Sequence, residues 1–222
     1  MKKNIPVFAI NLAERSDRRS HIVTQFENKP EFELYIVSAI KHKIGAIGLW
    51  QTMHKIVTKA KDNNDEYIII CEDDHFFKET YNNNLLIEAL EKADQQQAAL
   101  LLGGVSYFED AVQIDQKLFW LRNFTGTQFV VMFNRFYEKF LNIDFNDGDS
   151  IDLKMSHISN NIYCIYPFIS TQKEFGYSDV TKKNEQEGVV EEYFKKSEKR
   201  LRALSFLRKY FDNLYTPERY EQ

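Results

Sequence analysis

Short apolar runs recur along this chain, and segments with helical spacing separate them. That alternation constrains the fold more than any other feature, because buried strands and amphipathic helices in turn must bury their apolar sides on one shared sheet. Val7-Phe8-Ala9-Ile10-Asn11-Leu12 reads as a buried strand. A helix is expected from Asp17 to about Asn28, capped by Ser16 or Asp17, and Leu34–Ser38 is the next strand. Trp50, Met53, Val57 and Ala60 recur at intervals of three and four, which predicts a helix from Ile47 to Lys61. Tyr67-Ile68-Ile69-Ile70-Cys71 has no polar position, the pattern of a central strand covered on both faces. Further along, Leu85–Ala93 is read as helix, Ala99–Leu102, Phe119–Leu121 and Gln128–Phe133 as strands, and Asn134–Leu141 and Ile151–Ser159 as helices. Ile162–Tyr166 is a late strand. The expected class is α/β, with a mixed, mostly parallel sheet flanked by helices.

After Gly188 the pattern changes to one long helix, about Val190 to Leu214. A domain over residues 1–185 and a basic amphipathic C-terminal segment over 186–222 are therefore expected. At 222 residues the chain has room for one large domain or two small ones. Its 18 Phe and 12 Tyr exclude a disordered chain, and 8 Gly with 4 Pro exclude a collagen-like one. No apolar run reaches the length of a membrane span, and Val7–Leu12 is too short for a signal-peptide core. Cys71 and Cys164 both sit in strand-like runs, which suits reduced core thiols. The expectation is a cytoplasmic protein, docked peripherally on the inner face of a membrane.

Charge is uneven. Residues 195–209 carry seven Lys or Arg against Glu198, a window of +6 in a chain of net −4, which leaves −10 elsewhere. Such a balance argues against a nucleic-acid partner but leaves 195–214 able to meet an anionic membrane surface.

The densest chemistry is Glu72-Asp73-Asp74-His75, directly after the most apolar run. Carboxylates at a strand's C-terminal end stand where open α/β sheets bind ligands. Packed together they repel unless a cation neutralises them, and hard oxygen donors suit Mg²⁺ or Mn²⁺. An acidic turn that merely stops a strand explains the same tripeptide. Asn11-Leu12-Ala13-Glu14-Arg15-Ser16-Asp17-Arg18-Arg19 follows the first strand. Arginines in a helix's first turn oppose its dipole, which favours an anionic ligand there, although a solvated first turn is the simpler account. Asp147, Asp149 and Asp152 alternate with Gly148 and Ser150 before a helix, as turn and cap residues do and as a general base would. The five histidines lack metal-pair spacing. No Walker motif, zinc spacing or nucleophile elbow occurs.

Taken in order, these segments resemble glycosyltransferase family 25, the lipopolysaccharide-type and collagen-type galactosyltransferases. The resemblance rests on Ile-Asn-Leu ending the first strand, Arg15 and Asp17-Arg18-Arg19 after it, and the DxD-like Glu72-Asp73-Asp74 after the third. Gly126-Thr127 before a strand, Ile151-Asp152-Leu153 opening a helix, and Pro167 with Gln172 continue it, over roughly residues 5–180. It implies a GT-A fold, a divalent metal, and inverting transfer of a hexose, galactose above all. The implied donor is a UDP-sugar, and the acceptor a saccharide or lipid-linked glycan such as growing lipopolysaccharide. By position, Asn11, Leu12, Arg15, Arg18, Ser38, Ala39, Thr52, Asp73, Thr127 and Gln172 would lie around the nucleotide sugar. Asp74, with Asp73 and Glu72, would hold the metal. Asp152 would be the catalytic base, with Asp149 second. Where the family shows Cys-x-x-Ser-His, this chain has Leu49-Trp50-Gln51-Thr52-Met53, so a hydroxyl is kept and the imidazole is lost. That departure leaves open a degenerate sugar-nucleotide-binding protein docked on a membrane. The acidic run alone leaves open a metal-dependent phosphohydrolase.

Overall fold

The computed structural model describes residues 4–176 and 187–215. Within them, ten strands and six helices follow in the order β1 (Ile5–Asn11), α1 (Ser16–Phe26), β2 (Phe32–Ser38), α2 (Gly45–Asp62), β3 (Tyr67–Glu72), β4 (His75–Phe77), α3 (Asn83–Gln95) and β5 (Leu100–Leu102). Then come β6 (Tyr107–Asp115), β7 (Leu118–Thr125), β8 (Phe129–Phe133), α4 (Asn134–Leu141), α5 (Ile151–Ile158), β9 (Ile162–Ile165), β10 (Ser170–Gln172) and α6 (Val189–Tyr215). Eight of these strands form one mixed sheet in the order β2-β1-β3-β8-β5-β9-β7-β6, and β4 pairs with β10 in a small second sheet. The expected α/β class holds. β1 runs parallel to β2 and β3, while β8 runs antiparallel to both β3 and β5.

Alternation along the strands explains their unbroken apolarity. Ile68 and Ile70 of β3 face one core with Met53 and Val57 of α2, Phe136 of α4 and Met155 of α5. Ile69 and Cys71 face the other, with Ile22 of α1 and Leu86 and Ala89 of α3. Because both sides of the strand are covered, both must be apolar. Cys71 and Cys164 are free thiols in these cores, and burial pushes both well above the usual thiol range.

Several expectations need correction. The N-cap of α1 is Arg15, with no side-chain cap bond, and neither Ser16 nor Asp17 fills that role. The strand expected at Phe119–Leu121 is present as the first half of a longer β7, and it pairs with β6, a strand the expectations lack. The helix predicted near the C-terminus is present, but Val190, Phe194 and Leu201 sit in the same core as α2 and β3. Gly103 and Gly104 mark a close approach of the chain to the Phe129 ring and the start of β10. A Cβ at Gly104 would lie 2.2 Å from the Ser170 carbonyl oxygen. No helix among the described residues is long and apolar enough to cross a membrane.

Candidate active site

Parallel pairing sets Ile10 of β1 beside Glu72 of β3, so the two chain segments richest in charge leave the sheet side by side. Asn11 donates from Nδ2 to Asp73 Oδ2 at 2.7 Å and to the Arg15 carbonyl at 3.1 Å. Arg18, on the first turns of α1, donates from Nη1 to Asp73 Oδ1 at 3.1 Å and stands 3.6 Å from Asp74 Oδ2. Residues 55 and 62 positions apart in sequence are thus tied into one buried knot.

The three carboxylates meet different fates. Asp73 is held by Asn11 and Arg18. Glu72 accepts a 2.5 Å hydrogen bond from the Thr127 hydroxyl. Burial raises its pKa above the usual carboxylate range against that bond, and Asp73 and Asp152 add to the rise. Asp74 is pushed well up, by burial first and then by Glu72, while Arg18 and the Gln172 side chain pull it down. Its Oδ1 is buried without a hydrogen-bond partner. The β4–β10 pairing sets Gln172 opposite His75, and Lys173 N–H donates to the Asp74 carbonyl at 2.8 Å, which keeps Gln172 beside this turn. Behind it His75 is fully buried among Phe26, Phe77 and Phe129, with Nδ1 2.8 Å from Ser170 Oγ.

Among the described residues no three His, Cys, Asp or Glu side chains converge into a metal cage. The donor set suits a different arrangement, in which Mg²⁺ or Mn²⁺ takes one or two carboxylates and completes its shell with water and substrate phosphate. Asp74, with a buried oxygen still unpartnered, fits that arrangement. Asp73 and Glu72 are already occupied by other side chains.

A cavity of about 1120 Å³ opens over these groups. Of the residues singled out from sequence, Leu12, Arg18, Ala39, Glu72, Asp73, Asp74, Thr127, Asp149, Asp152 and Gln172 line it. Four do not. Asn11 is buried behind the wall, holding Asp73. Arg15 caps α1, and Ser38 pairs with Asn11 in the β1–β2 ladder. Thr52 is buried and structural: it donates to the Gly48 carbonyl at 2.7 Å and accepts from Ile40 N–H at 2.8 Å, pinning the loop after β2. Met53 lies in the core.

The far wall carries the two base candidates. Asp152, in the first turn of α5, accepts from Gly126 N–H at 3.2 Å and from Leu153 N–H at 2.9 Å, with Ser150 Oγ also against it. Asp149 accepts from Asn146 N–H at 2.7 Å and pairs with Lys154 at 2.7 Å. The Lys154 ammonium holds its carboxyl below the usual range, making it the poorer base.

Sequence reasoning missed the cationic side. Lys41, His42 and Lys43 line the cavity together with Gly45 and Ala46, the start of α2. Ile44 at that helix's N-cap offers no side-chain acceptor, and Ile47 N–H already bonds the Ile44 carbonyl, which leaves the Gly45 and Ala46 N–H groups uncapped by a side chain. The signal was a basic triplet directly after a strand. Tyr193, Lys196, Ser197 and Arg200 of α6 close another side.

By sequence the chain matches no protein-family model, and no curated protein matches it. Among solved structures it is similar to A197 from STIV, with a TM-score of 0.52 and 14% identity over 79% of this chain and 87% of that one. Looser similarities are to an apo UDP-glucose pyrophosphorylase, at TM-score 0.47 and 11% identity over 86% and 82%, and to a mannose-1-phosphate geranyltransferase from Thermus thermophilus. The latter superposes at TM-score 0.38 with 8% identity over 73% of each chain. At such identities the likeness to A197 is one of fold.

Proposed function

We propose that the chain is a glycosyltransferase that moves a hexose, galactose first, from a UDP-sugar to a hydroxyl of a growing surface glycan, with inversion and with help from a divalent cation. The observation that carries it is the Asn11–Asp73–Arg18 knot. It joins two of the segments that carry the family-25 resemblance, at the C-terminal ends of parallel strands, under a cavity of about 1120 Å³.

Asp74 would hold Mn²⁺ or Mg²⁺ through its unpartnered oxygen. Such an ion, when bound, neutralises charge on a departing diphosphate. The chain's own groups do the rest. Lys43, Lys41 with its ion-pair partner Glu14, and the Gly45 and Ala46 N–H groups at the start of α2 stand on the side that would meet the diphosphate. On the opposite wall Asp152 accepts the proton of the acceptor hydroxyl as that oxygen bonds to the anomeric carbon. The bond from that carbon to the diphosphate oxygen breaks, and its electron pair leaves with the nucleoside diphosphate. Gly126 N–H holds Oδ2 of Asp152 while Leu153 N–H and Ser150 hold Oδ1, which fixes the plane of the carboxylate.

Donor binding and transfer, measured separately on Asp152→Asn, test this. A UDP-hexose with Mn²⁺ at 100 times its Kd should stabilise parent and variant alike by about 2.7 kcal/mol in a thermal-shift assay. Transfer by the variant should fall about 10²–10⁴-fold. Failure of every UDP-sugar to shift the parent would defeat the transferase reading, and cleavage of phosphate esters by the parent would favour the phosphohydrolase.

A further inference from the structure

We propose that the outward face of α6 docks on an anionic lipid surface. The helix has two unlike sides. Val190, Phe194, Ser197, Leu201 and Ser205 are buried against the body. Ser197 donates to the Ser106 carbonyl at 2.8 Å, and Arg200 donates to the carbonyls of Phe108 and Glu109 at 2.7 and 2.9 Å. These contacts fix which way the helix faces. Tyr210 stands nine positions after Leu201, about two and a half turns, and so points away from the body.

On that outward side, Phe206 is 70% exposed, Tyr210 54% and Leu207 49%. Beyond Ser205 no described side chain of α6 is buried, and Arg208, donating to the Gln113 and Ile114 carbonyls, holds that end to β6. Lys195, Lys199, Arg202, Phe206 and Lys209 follow one another at spacings of four, three, four and three, which keeps them on one face. All are exposed. Lys195 is paired with Glu191, whereas Lys199, Arg202 and Lys209 make no ion pair among the described residues. Cations beside bare aromatic and aliphatic side chains, on a helix lying along a surface, complement anionic headgroups over an apolar interior. Outside residues 195–209 the chain carries −10, so the attraction is confined to that stretch of the helix.

The docking stands on the helix alone. Its use rests on the proposed transferase activity: Tyr193 and Lys196 of the same helix line the cavity, so a docked molecule would present that cavity beside lipid-linked acceptors.

Co-sedimentation of the full chain with phosphatidylcholine vesicles, with and without phosphatidylglycerol, tests it. Binding should need phosphatidylglycerol and fall with added salt. Lys199→Glu with Arg202→Glu should lower partitioning more than about fivefold per residue. Phe206→Ser with Tyr210→Ser should abolish it, while circular dichroism and the donor-induced thermal shift stay at parent values. Equal binding to neutral vesicles, or none at low salt, would overturn the proposal. So would a dimer in light scattering that Phe206→Ser breaks without any vesicle binding, since the occupant would then be a second copy. Loss of the donor shift alone would instead count against the transferase reading.

Discussion

Asp74 shows the conflict between folding and function at the level of one side chain. Its carboxyl is buried, one oxygen has no partner, and burial with Glu72 raises its pKa well above the unfolded value. A raised carboxylate binds protons more tightly in the native state, so its favourable contribution is full below the unfolded value and is lost as pH rises through the folded one. As pH rises above the unfolded value, the buried Asp74 carboxyl therefore costs the metal-free protein stability. Asp74→Asn should raise the urea midpoint at neutral pH in the presence of chelator, with the gain shrinking as pH is lowered. The same variant should lose any Mn²⁺-dependent tightening of UDP-sugar binding. A lower midpoint at neutral pH would show that Arg18 stabilises the charged form more than burial destabilises it. Both oxygens of Asp73, by contrast, have partners, Asn11 on the neighbouring strand and Arg18 on the helix.

Elements whose every position faces a core announce themselves, and those that owe their place to distant partners do not. β3 is legible because both its faces are covered, and α4 because its buried Phe136, Tyr137 and Phe140 keep helical spacing. β6 is not: it is an edge strand in which exposed Tyr107, Glu109, Asp110 and Val112 surround the one buried residue, Phe108, a pattern weaker than continuous apolarity. β4 and β10 are three residues each and exist through pairing across the chain, which no local signal records. The acidic turn and its arginine are legible for a similar reason to β3, being dense and local. The loop of Lys41, His42 and Lys43 is not, because its position depends on Thr52, twelve residues later than Ile40. Sequence position assigns Thr52 to the ligand, whereas its hydroxyl holds that loop. Thr52→Val keeps the volume and removes both hydrogen bonds, leaving a part-buried Ile40 N–H without its partner at a cost of about 1 kcal/mol. Amide exchange at Ile40 and Lys41 should quicken more than at β3. A UDP-sugar should bind more weakly, because the cationic wall is no longer fixed. Unchanged exchange at Ile40 would show that the loop is held by other contacts.

At the scale of the whole molecule, the cavity exists only while distant parts of the chain stay together. One wall comes from β1, α1 and β3, the other from the turn before β8, the start of α5 and the first half of α6. The change in sequence character near residue 185 suggests a separable tail, yet Leu201 is fully buried in the core that also holds Met53 and Ile70. If α6 is part of one cooperative unit, weakening its anchor must destabilise the far side equally. Trp50, on α2, reports from that far side, and Trp120 of β7 packs on the opposite core, so fluorescence of single-tryptophan variants can separate the regions. Leu201→Ala removes a buried side chain and should cost about 2–5 kcal/mol. The denaturant midpoint seen by Trp50 should drop as far as the one seen by Trp120 and by far-ultraviolet circular dichroism, with unchanged slope. Were the tail a separate unit, helical signal would melt early while Trp50 kept its parent midpoint. That outcome would also remove α6 as a fixed wall of the cavity, because a helix that detaches before the sheet unfolds cannot hold Tyr193 and Lys196 over a bound sugar.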